Sequence, residues 1–187
     1  LCQTDPNCQP SYRGQSIFLA EKGTCGLEAT KLHGKMGIKP CVTGSLALSD
    51  LKVPETNLVG ELNKGFYYTL ELFDGTRITV AAQAVGIAQG AFEKAFQYAK
   101  NRKQFNTPIV QFQAISFKFA EMATKIEAAR LLTHKAAMLY DQGKPDPMAT
   151  SMAKAFASRV AMEVTDDAIQ IHGGYGYLAD YHVERFH

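Results

Sequence analysis

Between Leu1 and about Pro54, apolar side chains alternate with polar ones over short stretches, as in QSIFLAEK (15–22) and TGSLALSDLKV (43–53). A period of two sends neighbouring side chains to opposite faces, so these stretches predict short antiparallel strands. Gly14, Gly23, Gly26, Gly34, Gly37 and Gly44 punctuate them and predict tight turns. Such a fragment amounts to about half a sandwich or barrel, with an edge that needs covering. VPETNLVGELNKG (53–65) reads as a connector.

From about Phe66 the pattern changes to long helices. In DGTRITVAAQAVGIAQGAFEKAFQYAKNRKQF (74–105), Ala, Val, Ile and Phe recur every three or four positions, which predicts a helix of about seven turns. A second helix is predicted over 109–143, closed by Gly143 and the KPDP break, and a third over Pro147–His172, stopped at Gly173. Long helices joined by short loops imply antiparallel neighbours in a bundle. The expected fold class is α+β by content. Residues 1–54 form part of an antiparallel β domain, 55–65 a connector and 66–187 an incomplete antiparallel helical bundle.

Composition narrows the picture by exclusion. With 46% hydrophobic and 20% charged residues, the chain has the profile of a globular domain and not of a disordered one. No apolar run approaches the roughly 18 residues of a membrane span. A net charge of +2 forecasts no electrostatic footprint for nucleic acid. Cys2, Cys8, Cys25 and Cys41 form no CxxC pair and are expected to be reduced thiols. The histidines His33, His134, His172, His182 and His187 include no i, i+4 pair, so no metal site is expected. Met36, Met122, Met138, Met148, Met152 and Met162 read as core filler. The chain opens LCQTDPNCQP, with no initiator Met and no targeting pattern, and is expected to be a piece of a longer polypeptide.

Two segments carry candidate chemistry. In NRKQFNTPIVQFQ (101–113), Arg102 and Lys103 are expected in the last helical turn and Gln113 in the first turns of the next helix. One reading is a solvated interhelical turn. The other is a phosphate site, with Arg102 as a forked donor, Phe105 as an apolar plate and Gln113 as an amide. GGYG (173–176) follows a helix, so it is not the dinucleotide fingerprint of strand, loop and helix. Either it caps that helix, or Gln170, Gly173 and Gly174 present an amide and bare backbone to a ligand.

The ordered series LFDGTRI, AAQAVGIAQ, NRKQF, PIVQFQ, AARLL, AKAFAS, QIHGGYGY and VER closely resembles the acyl-CoA dehydrogenases. FLAEKGTCGLEATKLHGKMGI and SDLKVPETNLVGELNKGF resemble the second half of that family's middle β domain, so the resemblance covers the chain from about Gly14 onward. It implies an FAD-dependent enzyme of short- or branched-chain type. Such an enzyme converts an acyl-CoA to its trans-2-enoyl-CoA and passes electrons to an electron-transferring flavoprotein. It implies FAD-diphosphate contacts at Arg102, Gln104 and Phe105, adenosine-side contacts at Phe112 and Gln113, and a further contact at Gln170, Ile171, His172, Gly173 and Gly174. These groups would reach the flavin of a neighbouring subunit in a dimer of dimers. Asp74, Gly75, Thr76 and Arg77 would line the acyl-CoA pocket near the pantetheine.

The family's catalytic base is a glutamate. It lies either shortly beyond the VER motif, hence past His187, or at the position held here by Thr76, which cannot serve. The catalytic residue is therefore unassigned. Glu184 is expected to make a structural ion pair with a neighbouring Arg. Asn106 and Thr107 replace a common Gly-Lys, and His182 replaces a common Pro. Without the family's other segments, the 187 residues alone are expected neither to hold flavin nor to turn over. A flavin monooxygenase or oxidase of the same fold, or a non-catalytic assembly relative, are the alternative readings. The expected compartment is a bacterial cytoplasm or the mitochondrial matrix.

Overall fold

The computed structural model describes residues 1–187, which divide into two compact units, Leu1–Leu70 and Glu71–His187. The first unit contains β1 (Cys2–Gln3), β2 (Gln15–Phe18), β3 (Leu27–Lys31), β4 (Gly44–Leu48) and β5 (Leu58–Val59). All pairings are antiparallel: β2 lies between β1 and β5, and β3 pairs with β4 from Leu27↔Leu48 to Lys31↔Gly44. The expected strands are present, but the β3–β4 connection is a long loop over 32–43, not a tight turn. The buried Ser16 explains how β2 is tied to the connector. Its hydroxyl accepts from the Asn63 N–H at 2.8 Å and shares a 2.7 Å bond with Thr4 Oγ1, which donates to Asn63 Oδ1 at 2.6 Å. A buried hydroxyl is tolerated because every partner is present.

The helices are α1 (Gly65–Asn101), α2 (Gln113–Asp141) and α3 (Pro147–His172). A two-residue-stranded hairpin, β6 (Lys103–Gln104) and β7 (Thr107–Pro108), joins α1 to α2. None of these helices is long and apolar enough to cross a membrane. α3 matches the expected bounds for local reasons. The Asp146 carboxylate accepts the Met148 N–H at 2.9 Å, Pro147 occupies the first turn, and Gly173 ends the helix with φ 61°. α1 is longer than expected at its start, with 37 residues. Its first turns, GFYYTLELF, are mostly aromatic and aliphatic, with only Thr69 and Glu71 polar, so the three-to-four recurrence becomes clear only from Asp74 onward.

Burial in the second unit follows small side chains. On α1, Ala81, Ala84, Ala88, Ala91, Ala95 and Ala99 recur at three- and four-residue steps and are buried. The stripe lets neighbouring helices approach closely, and interaxial distance is set by the side chains at the contact. α2 contributes Phe119, Met122, Ile126 and Ala129; α3 contributes Ala153, Ala157, Val160, Val164 and Ala168. Phe92 and Phe96 of α1 meet the Phe119 ring edge-on at centroid distances of 5.5 and 5.2 Å. The ion pairs Lys118–Asp167 and Lys125–Glu163 show α2 antiparallel to α3, and Arg130 donating to Gln89 Oε1 at 2.9 Å, taken with Phe119 against Phe96, shows α2 antiparallel to α1.

The methionine expectation is corrected. Only Met122 is core, at 1% exposure, whereas Met36 is 92% exposed and Met138, Met148, Met152 and Met162 lie at the surface. Sequence identity alone does not say which helical face a flexible apolar side chain occupies. Met122→Ala is expected to cost about 2–5 kcal/mol by leaving a cavity, while Met36→Ala changes stability by less than about 0.5 kcal/mol. Paired denaturant titrations check the contrast.

Candidate functional site: a cleft at the ends of α1 and α3

Arg102 and Lys103 do not lie in the last helical turn, because α1 stops at Asn101. The Arg102 N–H still donates to the Tyr98 carbonyl at 2.8 Å, and its own carbonyl accepts from Ile109 N–H at 2.9 Å, closing the hairpin. Lys103 pairs with Pro108 and Gln104 with Thr107, so Phe105 and Asn106 form a two-residue turn with φ of 50° and 59°. Positive φ at both central positions suits a right-handed hairpin twist. Asn tolerates this backbone, which accounts for Asn106; for Phe105 it costs about 1–2 kcal/mol. The hairpin nevertheless presents Phe105 at 92% exposure.

At the end of α3 the glycines divide their work. Gly173, at φ 61° and ψ −139°, occupies a conformation open essentially to glycine alone. A Cβ at Gly176 would come within 2.5 Å of the Ile169 carbonyl, so this glycine is required by packing. At Gly174 nothing lies within 4 Å, so the backbone faces open space.

These two ends enclose a cleft of about 410 Å³ lined by Tyr98, Arg102, Gln104, Ile109, Ile171, His172, Gly173, Gly174, Tyr175 and Leu178. Arg102 is its one charged lining group, and its guanidinium sits 5.5 Å from the Tyr175 ring centroid. Tyr98 stacks on His172 at 4.2 Å and 21°. His172 is 3% exposed, and its Nδ1–H donates to the Ala168 carbonyl at 2.8 Å, which fixes the neutral tautomer. Burial pushes the His172 pKa down, more than the hydrogen bond to Ala168 pushes it up, and Lys94 adds to the lowering. Burial pushes Tyr98 up, against the opposing pull of Arg102. The cleft at neutral pH is thus an uncharged polar and aromatic box with one fixed cation, a donor set suited to an anion.

Arg102, Gln104, Ile171, His172, Gly173 and Gly174 share this cleft; Phe105, Phe112, Gln113 and Gln170 are not among its lining groups. Gln113 and Gln170 are exposed. Tyr98 belongs to no motif of the resemblance, although it lies one helical turn before Arg102 and so shares its face. Tyr175 carried no signal beyond its place among the glycines.

Asp74, Gly75, Thr76 and Arg77 lie inside α1, not at its start. From Arg77 to Arg102 the separation is about 38 Å along the chain axis at ~1.5 Å per residue, more than the diameter of a small domain. Arg77 is paired with Asp74 one turn away. The Thr76 hydroxyl donates to the Phe73 carbonyl at 3.2 Å. Glu184 pairs with adjacent Arg185 at 3.6 Å, and its Oε2 is buried with no partner.

The family model for the acyl-CoA dehydrogenase C-terminal domain matches residues 63–187. The chain belongs to the acyl-CoA dehydrogenase family. It is 46% identical over 175 residues to the caffeyl-CoA reductase-Etf complex subunit CarC of Acetobacterium woodii, covering 94% of this chain and 46% of that one. It is 48% identical over 172 residues to the short-chain specific acyl-CoA dehydrogenase of Megasphaera elsdenii, covering 92% and 45%. The solved structure of butyryl-CoA dehydrogenase from Megasphaera elsdenii superposes with a TM-score of 0.93 at 46% identity, covering 98% of this chain and 48% of that one. The chain thus spans about half the length of these relatives.

Because burial holds the His172 pKa below its ordinary value in the native state, unfolding takes up protons as pH falls through about 6.5. Its contribution is therefore full above that pH and is lost as pH falls. The unfolding midpoint is expected to drop between pH 7.5 and 5.5, and to drop less in His172→Gln; equal slopes in both proteins would contradict the assignment.

Proposed function

We propose that the chain supplies the C-terminal portion of an FAD-dependent acyl-CoA dehydrogenase, with the Arg102 cleft receiving the flavin cofactor's diphosphate. The observation that carries this reading is the lone cation of the cleft, set between a bare Gly174 backbone and aromatic walls. These residues fit the group: Arg102 offers a forked donor, Gln104 an amide, and Gly173 and Gly174 backbone with no side chain in the way. FAD, when bound, supplies the hydride acceptor. The protein's share is to hold it, to orient the acyl-CoA and to exclude water.

The Asp74–Arg77 ion pair orients the Arg77 guanidinium in the stretch assigned to acyl-CoA. No residue of 1–187 is assigned as the catalytic base: Thr76 lacks a carboxylate and Glu184 is engaged by Arg185. The long separation of Arg77 from Arg102 favours their serving different active centres, with the Arg102 cleft completing that of a neighbouring subunit. The family resemblance carries the further proposal of a dimer of dimers, with domains divided near 54 and 66.

Near-equal identity to a dehydrogenase and to a reductase subunit favours a second reading of direction, in which the enzyme saturates an enoyl-CoA. In either direction the proposed partner is an electron-transferring flavoprotein, and the bacterial relatives favour a bacterial cytoplasm. Assays of both directions with the same partner distinguish them.

In the assembled enzyme, Arg102→Ala is expected to weaken FAD retention about 10- to 100-fold, the worth of a charge-assisted bond. Flavin-to-protein absorbance after desalting reads this. Arg77→Ala is expected to keep its flavin while KM for acyl-CoA rises. Full flavin in Arg102→Ala would overturn the cleft assignment.

A further inference from the structure

The turn that carries Asp74–Arg77 is backed by an element that neither its sequence nor the function above accounts for. Gly75 faces Tyr140, in the last turn of α2. A Cβ built at Gly75 would lie 3.1 Å from the Tyr140 hydroxyl oxygen, 3.4 Å from Cζ and 3.5 Å from Cε2. The first of these is tighter than side chains ordinarily tolerate; the other two are near normal contact. Gly75 therefore sits in mid-helix, where glycine costs about 1 kcal/mol relative to Ala, at a place where the phenol ring approaches the α1 backbone.

Behind this contact lies a cavity of about 490 Å³ lined by Glu71, Asp74, Tyr140, Gly143, Pro145 and Pro147. Its far wall is the α2–α3 turn. That turn is stiffened by two prolines and by the Asp146 cap on α3, while Gly143 at φ 69° supplies its left-handed step. Tyr140 is 45% exposed, and the hydroxyl end of its ring lies beside Gly75. Asp74 belongs to the cavity lining while it also holds Arg77, so one side chain links the cavity wall to the Arg77 guanidinium.

We propose that Tyr140 is a positioning residue for acyl-CoA binding. By resting on the bare backbone of Gly75, it sets how far α1 leans toward the α2–α3 turn, and hence where Thr76 and the Asp74–Arg77 pair stand. This rests on the assignment of Asp74–Arg77 to the acyl-CoA pocket. The proposed effect is carried through α1 and requires no contact between Tyr140 and the substrate.

The test is a mutant cycle in the assembled, flavin-loaded enzyme, read as KM for a short acyl-CoA, kcat and flavin content. Gly75→Ala is expected to raise KM about threefold or more, a coupling of the size contacting residues show, with flavin content unchanged. Tyr140→Phe removes only the atom at 3.1 Å. It is expected to be near wild type alone and to restore KM in the Gly75→Ala background. Tyr140→Ala removes the backing and is expected to raise KM without restoring Gly75→Ala. A Gly75→Ala defect equal with and without Tyr140→Phe would overturn the proposal, as would unchanged KM in both Gly75→Ala and Tyr140→Ala. If Arg77→Ala raises KM while these variants do not, the positioning role alone fails. If Arg77→Ala leaves KM unchanged, the pocket assignment fails and takes the proposal with it.

Discussion

The close packing made possible by alanines on one face of α1 is the constraint on which the second unit depends. Ala81 through Ala99 are buried at three- and four-residue steps, so the helix is held along its length by contact rather than by its ends alone. A stiff α1 fixes what stands at both ends of that seam. Toward its beginning lies the Asp74–Arg77 pair, and just past its end Arg102 leaves the helix for a hairpin. Any larger side chain in the seam would shift both.

At the far end, polar and aromatic groups take over from alanine. The Tyr98–His172 stack joins α1 to the last turn of α3, and the glycines beyond His172 leave the cleft open where a side chain would narrow it. The neighbourhood stores some cost. Phe105 has a left-handed backbone, and His172 is buried where its charged form is disfavoured. Such costs concentrate where geometry serves a ligand and not the fold; here Phe105 turns the hairpin that begins just after Arg102, and His172 lines the same cleft as Arg102.

Much of this was legible in the residues. Pro147, Asp146 and Gly173 each have a local mechanism, so α3 was readable to its last residue. Period-two stretches found β2 and β4. The change to helix near Phe66 was legible, but the continuity of α1 through GFYYTLELF was not, because aromatic and aliphatic side chains crowd that stretch and blur the helical period. The β6–β7 hairpin escaped because two-residue strands carry no period and Phe-Asn is not a usual hairpin pair. Motif resemblance named Arg102, Gln104 and the glycines but not Tyr98 or Tyr175, whose roles depend on where α1 and α3 end relative to each other. Tyr140 is of the same kind, since only tertiary contact shows what Gly75 is for.

One chain is proposed to contribute the two ends of α1 to two different active centres. Oligomers assembled from a mixture of Arg77→Ala and Arg102→Ala subunits test it most directly. If the ends serve different centres, each mixed pair contains one centre with both arginines intact, and activity rises well above that of either parent. If both arginines serve the same centre, every centre in a mixed oligomer lacks one of them, and activity no higher than the parents' would contradict the account.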